Sequence, residues 1–377
     1  MKIGFVLDDT LDTADGVQQY VLTLGGWLTN QGHSVHYLVG ATERTDIPNV
    51  HSLSRNMHVR FNGNRMSMPL LARRSQIRDL LEAEHFDVLH VQMPFSPLLA
   101  GRILEAAPAQ TAIVGTFHIA PHSHLVTAAN KALGLWLRGS LSRFRAIVSV
   151  SPAAASFARS AYGIESQVVP NVVDAERYRS AVPFEPKAGI PTILFVGRLV
   201  PRKGCAVLLE AVRLLNQRPA APPFKVQICG KGPLEASLKQ FVVSNRFEDI
   251  VEFVGFVSEA DKACYMKTAD LAVFPSLGGE SFGIVLIEAM AAGHPVVIGA
   301  DNEGYASVLG HYPELLVPVG DAEALATRLH LYLSDANARA QAVSWQRTHV
   351  QQYNVAVVGR QLEDIYKEAL QRTEPVR

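Results

Sequence analysis

The chain has 377 residues, 48% of them hydrophobic, and its 35 lysines and arginines balance its 35 aspartates and glutamates. A chain of this length normally divides into two domains, and the balanced charge gives no general argument for a nucleic-acid partner. Three scattered cysteines without CxxC or histidine spacing argue against disulfides and against a zinc site. The start MKIGFVLDDT lacks signal-peptide features, and no uncharged apolar run reaches about 18 residues. We therefore expect a cytoplasmic protein, for which peripheral attachment at the inner face of the membrane stays open.

Apolar runs of strand length alternate with helical patterns along the chain. The first half contains the runs KIGFVL, VHYLV, FDVLHV, TAIVGTF and AIVSV, with helical patterns over residues 17–29, 97–107 and 152–162. After the Pro-rich connector VPFEPKAGIP, the alternation restarts with TILFVG, FKVQICG, IVEFVG, LAVFPS and PVVIGA. Alternation of this kind indicates α/β domains with parallel sheets.

We predict two Rossmann-like domains in series, with a boundary near residue 170. The N-terminal domain then spans residues 1–170 and the C-terminal domain residues 171–351. The last predicted helix, over residues 355–370, can complete the second domain or cross back to the first, and the residue pattern does not decide between them. Ligands of open α/β sheets collect at the carboxyl ends of strands, so we expect the site in a cleft lined by loops of both domains.

The segment PSLGGESFGIVLIEAMAAG, residues 275–293, carries two glutamates around a predicted helix start. Ser281 is the expected N-cap, and the free N–H groups behind it would bind a phosphate. Those N–H groups belong to Phe282, Gly283 and Ile284. Glu280 and Glu288 lie about 10 Å apart along the helix direction, on either side of this anion site, and both suit hydroxyl groups. Sugar hydroxyls, a diphosphate and ribose hydroxyls together describe a nucleotide sugar.

The alternative for this segment is structural. Glu280 would then only complement the helix dipole, and Glu288 would be solvated. The surrounding residues IVLI and AMAA leave little polar face, so a lone Glu288 needs a partner.

A second motif, GRLVPRKG at residues 197–204, points to the same ligand. It places Arg198 at a predicted strand end and Lys203 at a helix start, where a cation is unfavourable unless an anion binds with it. A diphosphate is such an anion. We expect the adjacent Arg202 to be solvated, and a charged surface turn is the structural alternative for the whole motif.

The N-terminal half offers further candidates. The loop DDTLDTADG is strongly acidic and ends at Gly16, where an amphipathic helix begins whose N–H groups could face a phosphate. The loop is not GxGxxG, so a dinucleotide oxidoreductase site is not expected here. His118 ends the run TAIVGTF, where strand-end residues reach a cleft, although a structural role is equally compatible with that position.

Several motifs, taken together, resemble the retaining glycosyltransferases of family 4, which have the GT-B fold of two Rossmann-like domains facing across a cleft. The motifs are GGESFGIVLIEAMAAG, FVGRLVPRKG, DGVQQYVLTL and VPNVVDAERY, and they run in order along essentially the whole chain. The segment FDVLHVQMPFSP adds a likeness to the phosphatidylinositol mannosyltransferases within that family.

The resemblance implies roles for the donor site. Glu280 would hold hydroxyls of the donor sugar, Arg198 and Lys203 the diphosphate, and Glu288 the ribose. Gly16 would let the diphosphate approach the N-terminal domain. The donor would be a substrate, with no other cofactor, and the absence of a DxD motif argues against a bound metal.

The resemblance also implies the remaining parts of the site. His118 would lie beside the reacting sugar, and the final helix, residues 352–377, would pack on the N-terminal domain. Catalysis would proceed by front-face substitution with retention, and the donor phosphate would take the acceptor proton. The loops around the nucleobase would contain Gly230, Val257, Glu259 and Lys262.

Two departures from the family pattern concern the N-terminal domain. The usual Gly-Gly before the first long helix is Asp15-Gly16 here, which adds a carboxylate near the donor phosphate. The Asp8-Asp9 pair is not typical of the inositol-lipid enzymes, which counts against inositol as acceptor.

A basic stretch suggests how the acceptor is reached. Residues 51–78 contain six arginines and no acidic residue, and KALGLWLRGSLSRFR is a second basic and apolar stretch. Both could contact an anionic bilayer at about 1 kcal/mol per basic side chain. The alternative is ordinary solvated arginines on helices that pack within the domain. The arginines expected at the membrane are Arg65, Arg73, Arg74 and Arg78.

We therefore predict transfer of a hexose, with GDP-mannose as the favoured donor, to a lipid-linked or glycan acceptor. A UDP-sugar transferase and a GT-B sugar-nucleotide epimerase or phosphorylase are the enzymatic alternatives. A non-catalytic nucleotide-sugar-binding protein is the alternative of a different class, and the full set of charged site residues argues against it.

Overall fold

The computed structural model describes residues 1–13, 15–61, 64–70, 72–94, 96–119, 138–184, 189–219 and 221–372. The chain divides into two compact units, one formed by Met1–Val172 together with the segment from Val355 onward, and the other by Val173–Asn354. Each unit contains a parallel sheet connected by helices, which confirms the predicted α/β architecture.

Each of the ten predicted apolar runs contains a strand, and five further strands of the described residues lie outside those runs. The strands are β1 (Lys2–Val6), β2 (Ser34–Val39), β3 (Val50–Ser52), β4 (Arg55–Phe61), β5 (Asn64–Leu70), β6 (Val88–Gln92), β7 (Ala112–Phe117), β8 (Ala146–Ser149), β9 (Gln167–Val168), β10 (Thr192–Val196), β11 (Lys225–Cys229), β12 (Val251–Gly255), β13 (Leu271–Phe274), β14 (Val296–Ala300) and β15 (Leu316–Val317). Those outside the predicted runs are β3, β4, β5, β9 and β15.

Helices alternate with these strands, and short 3₁₀ turns lie at Pro201–Lys203, Pro313–Leu315 and Val350–Tyr353. The helices are α1 (Gly16–Asn30), α2 (Arg74–Glu84), α3 (Leu99–Ala106), α4 (Arg138–Leu141), α5 (Pro152–Tyr162), α6 (Ala175–Arg179), α7 (Cys205–Asn216), α8 (Glu235–Ser244), α9 (Glu259–Thr268), α10 (Ile284–Ala292), α11 (Glu303–Leu309), α12 (Ala322–Ser334), α13 (Ala336–His349) and α14 (Val355–Gln371).

The N-terminal sheet has the order β3-β2-β1-β6-β7-β8-β9 and is parallel throughout. Strand β1 lies between β2 and β6, so the loops after β1 and β6 are neighbours at the carboxyl edge. The arginine-rich stretch does not form helices in its first part, because β4 and β5 pair as an antiparallel hairpin with Arg55 opposite Leu70. That hairpin corrects the helical alternative for these residues.

The C-terminal sheet has the order β12-β11-β10-β13-β14-β15. Strand β10 pairs with β11 on one side and with β13 on the other, with Ile193 opposite Leu271. The strand order therefore reverses direction between β10 and β13, and open α/β sheets bind ligands at such a crossover. The motif GRLVPRKG follows β10 and the motif SLGGESFG follows β13, so the sheet brings the two predicted donor motifs together.

The last helix belongs to the N-terminal unit. Apolar residues at a spacing of three or four along α14 join the buried core formed by β1, β2, β7 and α1. They are Val358, Leu362, Ile365, Tyr366 and Ala369. Gly359 lies at the contact with α1, where a Cβ atom would come within 2.5 Å of the Trp27 ring. The small residue therefore permits the close packing of the two helices.

Candidate active site

The loops after β10 and β13 form a cluster of charges in the C-terminal unit. Lys203 Nζ lies 2.8 Å and Arg202 NH1 2.9 Å from the same carboxylate oxygen, Oε1 of Glu280. The hydroxyl of Ser276 also donates to this oxygen at 2.8 Å. Burial alone would raise the pKa of Glu280, but the two cations lower it below its ordinary value. Glu280 is therefore a fully ionised carboxylate held by three donors.

A glycine allows these loops to meet. Gly204 follows the turn that carries both cations and has a φ of 71°. A Cβ atom there would lie 1.8 Å from the carbonyl oxygen of Pro275, so a side chain would push the loops after β10 and β13 apart. The KG pair of the motif therefore combines a cation with the close approach that brings it to Glu280.

The helix after Glu280 starts later than the sequence predicts. Helix α10 begins at Ile284, and Gly283 occupies the N-cap position with a φ of 106°, which excludes it from a right-handed helix. The prediction that Ser281 caps the helix and that Phe282 starts it is therefore wrong by two residues. Phe282 is instead buried, with its ring 5.5 Å from that of Tyr353. These four predicted residues still lie together, directly behind Glu280.

Glu288 lies in a second, buried cluster within the same unit. Only 4% of Glu288 is exposed, so the solvated alternative is wrong. Lys262 Nζ lies 2.7 Å from Glu288 Oε1 and 2.9 Å from Glu259 Oε2. Burial opposes the charge of Lys262, but the two carboxylates raise its pKa above the ordinary value. Tyr178 on α6 hydrogen-bonds Glu288 as well. The partner that sequence reasoning required for Glu288 is therefore Lys262.

The remaining C-terminal candidates line the neighbouring strand ends. Arg198 is half-buried in the segment after β10, and Val257 is half-buried between β12 and α9. Gly230 follows β11 with a φ of 149°, and a Cβ atom there would lie 1.9 Å from the carbonyl oxygen of Gly197. The amide of Leu199 donates to the carbonyl of Lys231 at 3.0 Å. The segments after β10 and β11 therefore run side by side.

In the N-terminal unit, His118 follows β7 and is buried, with 7% of its surface exposed. Its Nε2 lies 2.6 Å from Oε1 of Gln92, and its ring packs edge-on against Tyr20 with the centroids 5.0 Å apart. Burial lowers the pKa of His118 to about 3, so the imidazole is neutral at ordinary pH. Gly16 is the first residue of α1, and the side chain of the N-cap residue, Asp15, makes no capping hydrogen bond.

The carboxylates of the acidic loop after β1 accept hydrogen bonds from neighbouring residues of the same unit. Asp8 accepts a hydrogen bond from the Ser96 hydroxyl and another, at 2.7 Å, from the amide of Ala100 in α3. Burial raises the pKa of Asp8 to about 6. Asp12 accepts hydrogen bonds from the hydroxyls of Thr10 and Thr42, each at 2.5 Å. These carboxylates fix the loop against its neighbours.

Among the described residues, one group offers three possible metal ligands, and it lies elsewhere. His36 and His51 on β2 and β3 contact each other at 3.0 Å, close to Glu84 at the end of α2. The ammonium of Lys2 already pairs with Glu84 at 2.9 Å. None of these three residues is among the predicted donor-site residues.

Comparisons with known proteins agree with this architecture. The model of Glycosyltransferase Family 4 matches residues 14–177, and that of Glycosyl transferases group 1 matches residues 180–349. The Phosphatidyl-myo-inositol mannosyltransferase of Mycolicibacterium smegmatis is 33% identical over 97% of this chain and 94% of its own. The enzyme of the same name from Mycobacterium tuberculosis is 32% identical over 97% of both chains. The chain is a family 4 glycosyltransferase.

Solved structures show the same fold for this glycosyltransferase. A glycosyltransferase from Rickettsia africae superposes with a TM-score of 0.76 at 19% identity, covering 98% of this chain and 99% of its own. Anabaena HepE in complex with UDP and glucose gives a TM-score of 0.74 at 19% identity, covering 97% and 99%. These likenesses confirm the predicted GT-B fold.

Sequence reasoning missed several residues that contact the candidate site residues. Arg202 is not solvated as expected, because the turn at Pro201–Lys203 is short enough for both of its cations to reach Glu280. Tyr178 lies in the quoted motif VPNVVDAERY, but nothing in the pattern indicates its contact with Glu288. Gln92 could have been found, since it is a lone amide at the end of the apolar run VLHVQ.

The predicted membrane arginines are placed only in part. Arg73, Arg74 and Arg78 are exposed at the start of α2, and Arg74 pairs with Glu105 at 3.0 Å. The side chain of Arg65 lies outside the described residues, as do residues 131–137 of the second basic stretch. Within the described helices, none is both long and apolar enough to cross a bilayer.

Arginines at the end of the second basic stretch serve packing. Arg143 donates to the carbonyl oxygens of Leu104 and Ala107, the latter at 2.7 Å. Arg145 donates to that of Ala109 at 2.6 Å. These two arginines therefore bind backbone carbonyls within the N-terminal unit, but they are half-buried and follow α4, whereas the structural alternative expected solvated arginines on helices.

Proposed function

We propose that the protein is a retaining hexosyltransferase that moves mannose from GDP-mannose to a lipid-linked or glycan acceptor at an anionic membrane surface. The observation that carries this proposal is the convergence of Lys203 and Arg202 on Glu280 at the crossover of the C-terminal sheet. The names of the relatives at 32–33% identity support mannose as the sugar.

The charge cluster suits a ligand that combines a diphosphate with hydroxyl groups. Glu280 offsets one of the two positive charges of Lys203 and Arg202, so these three side chains carry a net charge of about +1. A bound diphosphate would pair with Lys203 and Arg202 in place of Glu280. Further hydrogen-bond donors to the diphosphate would be Arg198 and the amides of Phe282, Gly283 and Ile284. The oxygens of Glu280 would then accept hydrogen bonds from the sugar hydroxyls.

The second cluster suits the ribose. Two carboxylates and one ammonium, from Glu288, Glu259 and Lys262, leave a net charge of about −1 in a buried setting. The oxygens of Glu288 that remain can accept hydrogen bonds from the two ribose hydroxyls. We place the nucleobase beside Gly230 and Val257, at the neighbouring strand ends.

The proposed reaction breaks the bond between the anomeric carbon and the diphosphate oxygen. The acceptor oxygen attacks from the same face and forms the new glycosidic bond, so the configuration is retained. The acceptor proton passes to a phosphate oxygen and leaves with the nucleoside diphosphate. Lys203, Arg198 and the helix start stabilise the charge that develops on the leaving group, and the loss of one such donor costs about 10²–10³-fold in turnover.

His118 is proposed to contact the transferred sugar. Positive charge develops on the sugar ring in an oxocarbenium-like transition state. A neutral imidazole in that place avoids repulsion that an imidazolium would cause. The burial of His118 therefore fits a role in hydrogen bonding rather than in proton transfer.

The proposed membrane surface includes Arg73, Arg74 and Arg78 at the exposed start of α2, together with Arg65. Each basic side chain near an anionic bilayer contributes about 1 kcal/mol. Flotation with vesicles of phosphatidylcholine alone and with added phosphatidylserine tests this. We expect binding only with the anionic lipid, and equal flotation in both would refute the membrane part of the proposal.

A thermal-shift panel of GDP-, UDP- and ADP-sugars tests the donor. We expect the largest stabilisation from GDP-mannose, lost in Lys203→Met and kept in Lys239→Met, whose lysine pairs with Glu235 on the exposed helix α8. Larger stabilisation by a UDP-sugar would show that the proposed donor, GDP-mannose, is wrong. In a turnover assay, free nucleoside diphosphate should appear only with acceptor present, and its release without acceptor would favour an epimerase.

A further inference from the structure

A buried glutamine faces His118 across two neighbouring strands. Gln92 ends β6 and lies opposite Thr116 of β7, two residues before His118. Only 1% of Gln92 and 7% of His118 are exposed. Their side chains meet at 2.6 Å, between Oε1 of the amide and Nε2 of the ring. Such a short contact in the interior must be a hydrogen bond.

The contact made by the NH₂ group of Gln92 shows which partner donates in this hydrogen bond. Nε2 of Gln92 donates to the carbonyl oxygen of His90 at 3.3 Å, so the amide oxygen is the end that faces His118. An amide oxygen can only accept, so the proton of this contact lies on Nε2 of His118. In a neutral imidazole with a protonated Nε2, the other nitrogen, Nδ1, is an acceptor.

The surroundings hold the same pair of strands rigid. His90 Nε2 contacts the Thr116 hydroxyl and His90 Nδ1 the Tyr366 hydroxyl, each at 2.6 Å. Tyr20 packs edge-on against both imidazoles, at centroid distances of 5.0 Å for His118 and 6.4 Å for His90. The backbone that carries Gln92 and His118 is therefore braced by a buried hydrogen-bonded layer that reaches α14.

We infer that Gln92 is a positioning residue that holds His118 as its Nε2–H tautomer, so that Nδ1 accepts a hydrogen bond from a hydroxyl of the transferred sugar. This inference rests on the proposed function for its second half, and on the structure alone for its first. Without Gln92, the imidazole would lose the acceptor that selects its tautomer, and a proton on Nδ1 would turn an acceptor into a donor.

Nuclear magnetic resonance of the ¹⁵N-histidine-labelled full-length protein tests the tautomer directly. Protonated and unprotonated ring nitrogens give well-separated ¹⁵N signals, and His118→Gln identifies the His118 signals among the 13 histidines. We expect the Nε2–H tautomer in the wild-type protein and a shift toward Nδ1–H in Gln92→Met. Nδ1–H in the wild-type protein, or an unchanged tautomer in Gln92→Met, would overturn the inference.

A matched control separates tautomer selection from packing. Gln346 is also 1% exposed and also bridges two backbone groups, the amide of Val297 and the carbonyl of Pro295, both at 2.9 Å. Gln346→Met removes a buried amide of the same size from the other unit. It should lower the melting temperature but leave the His118 signals unchanged. A change in those signals in this variant would show that they follow general loosening, against the inference.

Turnover measurements then test the second half. Gln92→Met should lower kcat by about 10-fold, the loss of one hydrogen bond to the transferred sugar. Gln92→Glu keeps an acceptor opposite Nε2 but favours the imidazolium, so turnover should recover at high pH and fall as pH drops. An unchanged kcat in Gln92→Met, despite a changed tautomer, would refute the sugar contact. The tautomer itself is measured without turnover, so it can be right even if the proposed transfer is wrong.

Discussion

The half-buried carboxyl of Asp8 should make the stability of the N-terminal unit depend on pH. Asp8 follows β1 and ties the start of α3 to it through the Ser96 hydroxyl and the Ala100 amide. Burial is the largest cause that raises its pKa from 3.8 to about 6. The perturbation that isolates this effect is Asp8→Asn, because asparagine keeps an acceptor for the amide of Ala100 and carries no charge.

The sign follows from proton binding. Since the folded state binds the proton of Asp8 more tightly than the unfolded state, protonation stabilises the fold below pH 4, and this contribution is lost as pH rises through about 6. The interval from 3.8 to about 6, at about 1.4 kcal/mol per pH unit, gives about 3 kcal/mol. At pH 4 the unfolded carboxyl is already more than half ionised, so the free energy of unfolding of Asp8→Asn, minus that of the wild-type protein, should increase by about 2 kcal/mol from pH 4 to pH 7.

Urea unfolding followed by tryptophan fluorescence measures this difference. In a Trp345→Phe background, the two remaining tryptophans, Trp27 and Trp136, both belong to the sequence of the N-terminal unit. Asp79→Asn, on the exposed side of α2, controls for the removal of one negative charge. A difference between Asp8→Asn and wild type that stays constant from pH 4 to pH 7 would refute the reasoning.

The other predictions concern the C-terminal unit. Glu280→Gln should reduce kcat about 10²–10³-fold, while calorimetry should show that GDP still binds. Glu288→Gln should mainly weaken nucleotide binding in the same calorimetric assay. The reverse pattern would exchange the two roles. Lys262→Met should lower the free energy of unfolding in urea by about 3–5 kcal/mol, because it leaves the buried Glu288 without its cation. Adding Glu259→Gln to this variant should recover part of that loss. Equal stability of the wild-type protein, the single variant and the double variant would contradict this prediction. Gly204→Ala should weaken nucleotide binding through its clash with Pro275. Gly189→Ala, at a similar φ of 70° and with no described residue within 4 Å of the added carbon, should not weaken it. Equal effects of the two substitutions would argue for backbone strain alone.

Much of the fold follows from the alternation of apolar runs, because strand-length runs separated by helical patterns allow few other architectures. The need of Glu288 for a partner is also visible in the sequence, since an apolar helix cannot leave a carboxylate uncompensated. The sequence does not show which residue is that partner. Lys262 lies 26 residues away in sequence and reaches Glu288 through the packing of α9 on α10.

Errors in the predicted site have local backbone causes. Helix α10 starts two residues later than the sequence predicts because Gly283 adopts a positive φ. The preference for serine at N-caps does not indicate such a backbone conformation. From the sequence alone, we expect Arg202 to be solvated. A single 3₁₀ turn instead lets it share Glu280 with Lys203.

The position of α14 has a consequence for how the protein is made. Its 17 residues are the last described helix, yet they supply Val358, Leu362 and Tyr366 to a core whose other members begin at Ile3. During synthesis the second unit is complete, as one uninterrupted segment, before the first can close its core. The core of Met1–Val172 is therefore completed only after α14, which follows the second unit in the sequence, has also been synthesised.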